Sequence, residues 1–174
     1  MHRFVLALVV FAGAAIVWAA DDAAHEEGVE WTGKPWMGKW ESDPSKDENV
    51  EEFKKKLQLP MSHSEMNKNS KVWIHHYKKG DEYHHKIIIN DAHYKNDIVF
   101  KLGQESAGSY NGSSFSVKYE DKDGALVGSV HYTGTKEQSL DKTINNVFKL
   151  EGDHLVKTST IEGVTMKRHY NKRQ

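Results

Sequence analysis

Most of the chain is written in alternation. From Lys71 onward, short runs rich in Val, Ile, Thr, Tyr and Phe place apolar side chains at every second position, the period of a strand with one buried face. The runs are Lys71 to Lys79, Glu82 to Asn90, Lys95 to Leu102, Ser106 to Tyr110, Ser113 to Glu120, Ala125 to Thr133, Thr143 to Glu151, His154 to Ile161 and Val164 to Lys172. Gly80, Asn111-Gly112, Asp123-Gly124, Gly152-Asp153 and Glu162-Gly163 separate them with hairpin chemistry. Upstream, Lys34 to Asp43 carries Trp36, Gly38 and Trp40 on one face and predicts a first strand. After it the period changes. Ser45-Lys46-Asp47-Glu48 has capping-box spacing, and Val50, Phe53 and Leu57 then share a helical face, with Glu51–Lys55 and Glu52–Lys56 at i,i+4. Leu59-Pro60 stops that helix, and Ser62-His63-Ser64-Glu65 predicts a second one running through Met66 to Asn69. About ten short strands interrupted once by a helical hairpin predict an all-β barrel or sandwich, with the helix-turn-helix unit as a lid over one end.

The last strand breaks the pattern. Val164, Met166, Arg168 and Tyr170 share one face, while Thr165, Lys167, His169 and Asn171 share the other. The second face is polar throughout and belongs in water, so the first points inward and takes an arginine with it. A guanidinium in an apolar setting is costly unless something anionic or hydrogen-bonding meets it. Arginine otherwise occurs only at Arg3 and Arg173, every other basic side chain of the Lys/Arg type being lysine. Two readings follow. Arg168 and Tyr170 face a cavity that receives a ligand's carboxylate, or Arg168 meets an internal acid or water that locks the structure shut.

Residues 1–20 read as a signal peptide. His2 and Arg3 precede an apolar run from Phe4 to Val17, and Val17-Trp18-Ala19 supplies small residues for cleavage after Ala19 or Ala20. The expected product is secreted, with an acidic, aperiodic and flexible segment over 21–33 and a single barrel domain over 34–174. The chain has no cysteine, so an oxidising compartment gives it no disulfides. Charged residues make up 28% and hydrophobic ones 37%, with mean hydropathy −0.73. Removing Arg3 with the leader leaves 23 Lys+Arg against 25 Asp+Glu, a net charge of −2. That balance gives no basic footprint for nucleic acid or anionic membranes. Catalysis finds no support either: there is no cysteine, no nucleophile elbow and no converging pair of acids. No cofactor motif is present, and a non-enzymatic monomer is expected.

The order strand, helical hairpin, nine strands and a closing R-x-Y resembles the fatty-acid-binding-protein family. Gly38-Lys39-Trp40 is similar to that family's G-x-W, Tyr94 to Glu105 to its stretch ending in L-G-Q-E, and Leu155-Val156 with Gly163 to Tyr170 to its last two strands. The resemblance covers residues 35 to 172 and implies a ten-stranded antiparallel up-and-down barrel with a helix-turn-helix cap. Trp31 to Val50 and the histidine-rich Trp73 to Ile89 further resemble the tardigrade secretory-abundant heat-soluble proteins, which share that fold. This second resemblance implies an extracellular protectant in desiccation, acting on dehydrating membranes or client proteins. The first implies the alternative, a carrier of fatty acids or other small hydrophobic ligands. Thr133 to Asn146 departs from both patterns, being longer and less strand-like than the hairpin expected there.

By that resemblance Arg168 and Tyr170 hold a fatty-acid carboxylate. The carriers' second inward arginine, two strands earlier, is missing: Asn145 to Glu151 offers Phe148, Leu150 and only Lys149 as a cation. That absence weakens carboxylate binding and blurs selectivity. A third function class, metal binding, rests on histidine alone, of which the chain has 11. His75-His76 and His84-His85 lie on paired strands, so His75 faces His84 if Lys79-Gly80 is the turn, and His76 faces His85 if Gly80-Asp81 is. Two imidazoles begin a zinc or copper site but need a third ligand, which the spacing does not supply. Asn111-Gly112-Ser113 is a glycosylation sequon on a predicted turn. Trp36 and Trp40 read as core or rim packing.

Overall fold

The computed structural model describes residues 28–57, 70–90, 94–110, 113–134 and 139–173. The expected signal peptide, the expected second helix and Asn111 lie outside them. The strands are β1 (Val29–Glu30), β2 (Gly38–Ser42), β3 (Val72–Lys79), β4 (Glu82–Ile89), β5 (Tyr94–Phe100), β6 (Glu105–Tyr110), β7 (Ser113–Lys122), β8 (Ala125–Gly134), β9 (Ser139–Glu151), β10 (His154–Ile161) and β11 (Val164–Lys172). One helix, α1 (Val50–Leu57), follows a short 3-10 turn at Pro44–Lys46.

The strands pair antiparallel in the order β5-β4-β3-β2-β11-β10-β9-β8-β7-β6, with β1 added on β3. Hairpin follows hairpin, except that β11 returns to pair β2 at Tyr170↔Ser42, Asn171↔Glu41 and Lys172↔Trp40. The result is a nearly closed ten-stranded up-and-down barrel. No ladder joins β5 to β6, the two ends of the path. Turn chemistry sets the registers. At Glu162-Gly163 both residues have positive φ, 46° and 80°, the paired left-handed geometry that a two-residue hairpin needs. Lys79 faces Glu82 across Gly80-Asp81, which settles the β3–β4 register in favour of His76 opposite His85.

Alternation then sorts the side chains. Val72, Ile74, Ile87, Ile89, Phe100, Phe115, Val117, Tyr119, Leu126, Phe148, Leu155 and Tyr170 join Trp36 and Trp40 in one internal cluster. Trp36 donates from Nε1 to Asp121 (3.0 Å), and Trp40 Nε1 donates to the Trp36 carbonyl (3.1 Å), so both indoles are buried with their N–H satisfied. A second cluster of Phe53, Leu57, Ile144, Ile161 and Met166 packs α1 onto one end of β9, β10 and β11. The lid helix is thus held by the face that its spacing predicts.

Three local features differ from expectation. The capping-box pattern at Ser45 does not start the helix: Ser45 Oγ donates to Asp43 Oδ1 at 2.6 Å, and α1 begins at Val50 after Asn49, which has a positive φ of 58°. Asp47 is drawn instead onto β11, as described below. The end of the acidic segment, where no periodicity predicts an element, forms β1, pairing Val29 with Lys79 and Glu30 with Lys78. Trp31 then lies on the outer face of β3, 5.7 Å from the His75 ring and 5.0 Å from that of Tyr77. Thr133 to Asn146, expected to be weakly strand-like, belongs largely to β8 and β9, with a register shift between Tyr132 and Gly134.

The β7–β8 pair leaves no room at Gly128, where a Cβ would overlap the Lys118 carbonyl oxygen and lie 2.9 Å from Tyr119 Cα. Backbone atoms cannot rotate away as a side chain can. Gly128→Ala is therefore expected to cost on the order of 2 kcal/mol by forced separation of the two strands. Urea unfolding of the variant checks this, and unchanged stability would contradict the spacing.

Candidate ligand site in the barrel interior

The interior of the barrel is not purely apolar. Arg168 on β11 is buried between Met166 and Tyr170, at 3% exposure. Its Nε donates to Asp47 Oδ2 at 3.0 Å, and the Asp47 side chain is itself only 9% exposed. The second carboxylate oxygen, Oδ1, accepts the backbone N–H of His169 at 3.1 Å. Local chain geometry makes this possible. Asp43 N donates to the His169 carbonyl (2.7 Å), and Glu48 exchanges backbone bonds with Lys167 (2.9 and 3.1 Å). Between those points the chain bulges away through the 3-10 turn, and the Asp47 side chain completes the ladder that the backbone leaves open. The guanidinium carbon also lies 5.6 Å from the Tyr170 ring centre. Arg168 therefore has a carboxylate partner supplied by the chain itself.

The four histidines of β3 and β4 fall into two pairs by strand alternation. His75 and His84 point outward. His84 stacks on Tyr77, with ring centres 4.5 Å apart and planes at 7°, and its Nδ1 lies 3.1 Å from Asp97 Oδ2. His76 and His85 point inward and are 0% and 2% exposed. Their facing nitrogens, His76 Nε2 and His85 Nδ1, are 2.6 Å apart, and His76 Nδ1 lies 3.0 Å from the Trp36 carbonyl oxygen. Burial penalises the imidazolium and pushes His76 down to about 3, with the charges of Lys157 and His75 acting in the same direction. Burial first, then His76 and Lys157, holds His85 well below the ordinary histidine range. Among the described residues no group of three or more His, Cys, Asp and Glu converges. The structure thus brings together two of the four candidate metal ligands and sends the other two to the opposite face.

A second inward cation stands on β10. Leu155, Lys157, Ser159 and Ile161 share the inner face, and Lys157 sits opposite Arg168 on one side and Phe148 on the other. Its Nζ is 5.5 Å from the Phe148 ring centre. Ser159 Oγ donates to Asn146 Oδ1 at 2.7 Å, a buried polar pair one step along the same strands. Sequence reasoning sought the second cation on β9 and missed Lys157, although the alternation of Leu155, Ser159 and Ile161 marks position 157 as inward. Asp47 was missed because capping-box spacing assigned it to a helix.

No family profile matches the chain. Individual relatives do. Secretory-abundant heat soluble protein 1 of Ramazzottius varieornatus is 36% identical over 173 residues, covering 99% of this chain and 98% of the relative. The crystal structure of a secretory-abundant heat-soluble protein from the same organism superposes with a TM-score of 0.71 at 40% identity, over 83% of this chain and 99% of that one. The Schistosoma mansoni fatty acid binding protein in complex with arachidonic acid superposes with a TM-score of 0.66, covering 80% of this chain and 97% of its own. At 18% identity that last likeness is one of fold.

Two outcomes follow from the buried groups. Asp47→Asn leaves Arg168 buried beside a neutral amide and is expected to cost about 3–5 kcal/mol, most of it recovered when Arg168→Met is added. Urea unfolding of the single and double variants measures both, and a loss below about 1 kcal/mol would show that the pair does not hold the barrel. The histidines give a pH dependence. The unfolded chain protonates histidine near 6.5, the folded one protonates His76 only near about 3. Between those values the unfolded state binds more protons, so stability is full above the upper value and is lost as pH falls. Going from pH 7 to pH 5 should cost about 2 kcal/mol through His76 alone, with His85 acting in the same direction. A flat stability profile over that range would contradict a buried neutral pair.

Proposed function

The chain belongs to the secretory-abundant heat-soluble protein family, and from that premise we propose that it is a secreted, non-enzymatic protectant of membranes and proteins during desiccation. One observation carries the reading: among the described residues, Val99 is the only large hydrophobic side chain that stands exposed. The outer face instead presents interspersed charges, among them Lys101 with Asp81 (2.5 Å) and Glu120 between Lys118 (3.5 Å) and Lys122 (2.8 Å). Exposed pairs of this kind add little to stability. Their value lies in keeping a surface that hydrogen-bonds to neighbours as water leaves and that, over the described residues, offers no apolar patch through which heated molecules aggregate. The Asp47–Arg168 pair fits the same role, because the interior charge is met without a ligand.

A second reading, carriage of a fatty acid or another hydrophobic ligand, is favoured by the polar groups inside the apolar barrel. Arg168 and Tyr170 are its candidate anchor. A carboxylate arriving there has to share the guanidinium with Asp47, which limits the affinity that this position supplies.

Drying tests the first reading. A desiccation-sensitive enzyme dried with this protein should keep several times more activity than one dried with an equal mass of albumin, and the protein should remain soluble after heating. Equal protection by albumin would remove the protectant role and leave carriage as the function.

A further inference from the structure

Before it enters β2, the chain crosses the end of the barrel opposite α1. That end carries the β3–β4 turn at Gly80-Asp81 and the β7–β8 turn at Asp123-Gly124. Val29–Glu30 runs along the end of β3, where Glu30 Oε1 lies 3.5 Å from Lys78 Nζ. Trp31 folds over the outer face of the same strand, with Lys39 Nζ 4.9 Å from its ring centre. Gly33, at φ 115°, then turns the chain inward. Residues 34–37 reach the far wall. Lys34 Nζ is 3.4 Å from Asp121 Oδ2, and Trp36 Nε1 donates to the same oxygen at 3.0 Å. Pro35 packs on the β7–β8 turn so closely that a Cβ at Gly124 would lie 3.2 Å from its Cγ.

The two ends of the barrel are held differently. At the α1 end the Asp47–Arg168 pair is buried, backbone bonds tie Asp43 and Glu48 to β11, and Phe53 and Leu57 pack against Ile161 and Met166. At the other end Trp36 is buried, but the polar ties sit at the rim. The Lys34 and Asp121 side chains are 38% and 18% exposed, and Glu30 with Lys78 is wetter still. Exposed pairs of this kind hold weakly. Asp121 Oδ2 is thus the main polar catch of the crossing segment. Directly beneath it, the Trp36 carbonyl accepts from Trp40 Nε1 at 3.1 Å and meets His76 Nδ1 at 3.0 Å.

We propose that residues 29–37 form a hinged cover latched by Asp121, and that the folded barrel opens at this end while α1 stays in place. Lifting the cover breaks the Trp40 and His76 bonds to Trp36 and brings water to the His76–His85 pair. It does so without parting β2 from β3 or β11, so the opening is local and reversible.

Hydrogen exchange of the folded, 15N-labelled protein followed by NMR tests this. The reporter is the Trp40 indole proton, which is buried and bonded to the cover rather than to the latch. The Lys167 and His169 amides report the α1 end. Trp40 is expected to open at least tenfold more often than those two amides and than the most protected amides of β9 and β10. Ile161→Val loosens the packing beneath α1 and should speed the most protected amides several-fold. Trp40 should not respond, because that packing is still intact when the cover lifts. Asp121→Ala should raise the opening seen at Trp40 about tenfold, as expected for a hydrogen bond to a charged acceptor. Equal opening of Trp40 and the most protected amides, with Ile161→Val speeding both alike, would show a single cooperative unit and overturn the proposal. Freer opening at Lys167 and His169 than at Trp40 would overturn it by placing the gate at α1. A Trp40 rate indifferent to Asp121→Ala would overturn the latch. The wild-type and Ile161→Val comparisons decide the cover independently of whether Asp121→Ala folds.

Discussion

The barrel depends on a buried ion pair between the segment that enters the lid and the last strand. Asp47 and Arg168 are separated by 121 positions in sequence, and each is almost wholly withdrawn from water. Such a pair adds little net stability compared with well-packed hydrophobic residues, but its geometry is demanding and losing one partner is severe. Here it does two further things. Through Oδ1 it supplies the ladder bond that β11 lacks where the chain detours through the 3-10 turn. By claiming Asp47 it also postpones the helix to Val50, which sets where Phe53 and Leu57 meet Met166 and Ile161.

Much of the fold was legible because β-structure writes its period locally. His154–Ile161 and Val164–Lys172 have the bounds that alternation and the Glu162-Gly163 turn predict. The β3–β4 hairpin was legible up to a choice between two registers, since Gly80 can serve in either turn. What the pattern could not reveal is which distant group answers a local signal. Ser45 to Glu48 has the spacing of a helix cap, but tertiary demand from Arg168 outweighs a local preference worth about 1 kcal/mol. The reading that Arg168 meets an internal acid was open from the sequence. That the acid is Asp47 was not. Lys157 is hard to see for another reason: lysine is the strongly hydrated cation of protein surfaces, and only the inward parity that position 157 shares with Leu155, Ser159 and Ile161 marks it.

The two faces of each strand carry different chemistry at close quarters. His75 and His76 are neighbours in sequence, yet one lies against Trp31 on the outer surface and the other is bonded inside to His85 and the Trp36 carbonyl. A histidine-rich stretch therefore supplies an aromatic exterior that seats the N-terminal strand β1 and a neutral polar interior that tolerates burial. Composition alone suggests a metal-binding run. The pleat separates it into two unrelated environments.

The seam between β2 and β11 has a consequence for how the molecule is made. Closure joins strands from opposite ends of the chain, so no portion of the polypeptide short of β11 can complete the barrel. Until then β2 and β10 each present an open edge, the kind of surface on which strands from other chains pair. Contacts between residues so far apart in sequence also form slowly, because the loop entropy must be overcome before the contacts repay it. The vulnerable period for this protein is therefore its synthesis and export, before β11 has reached β2 and covered both edges.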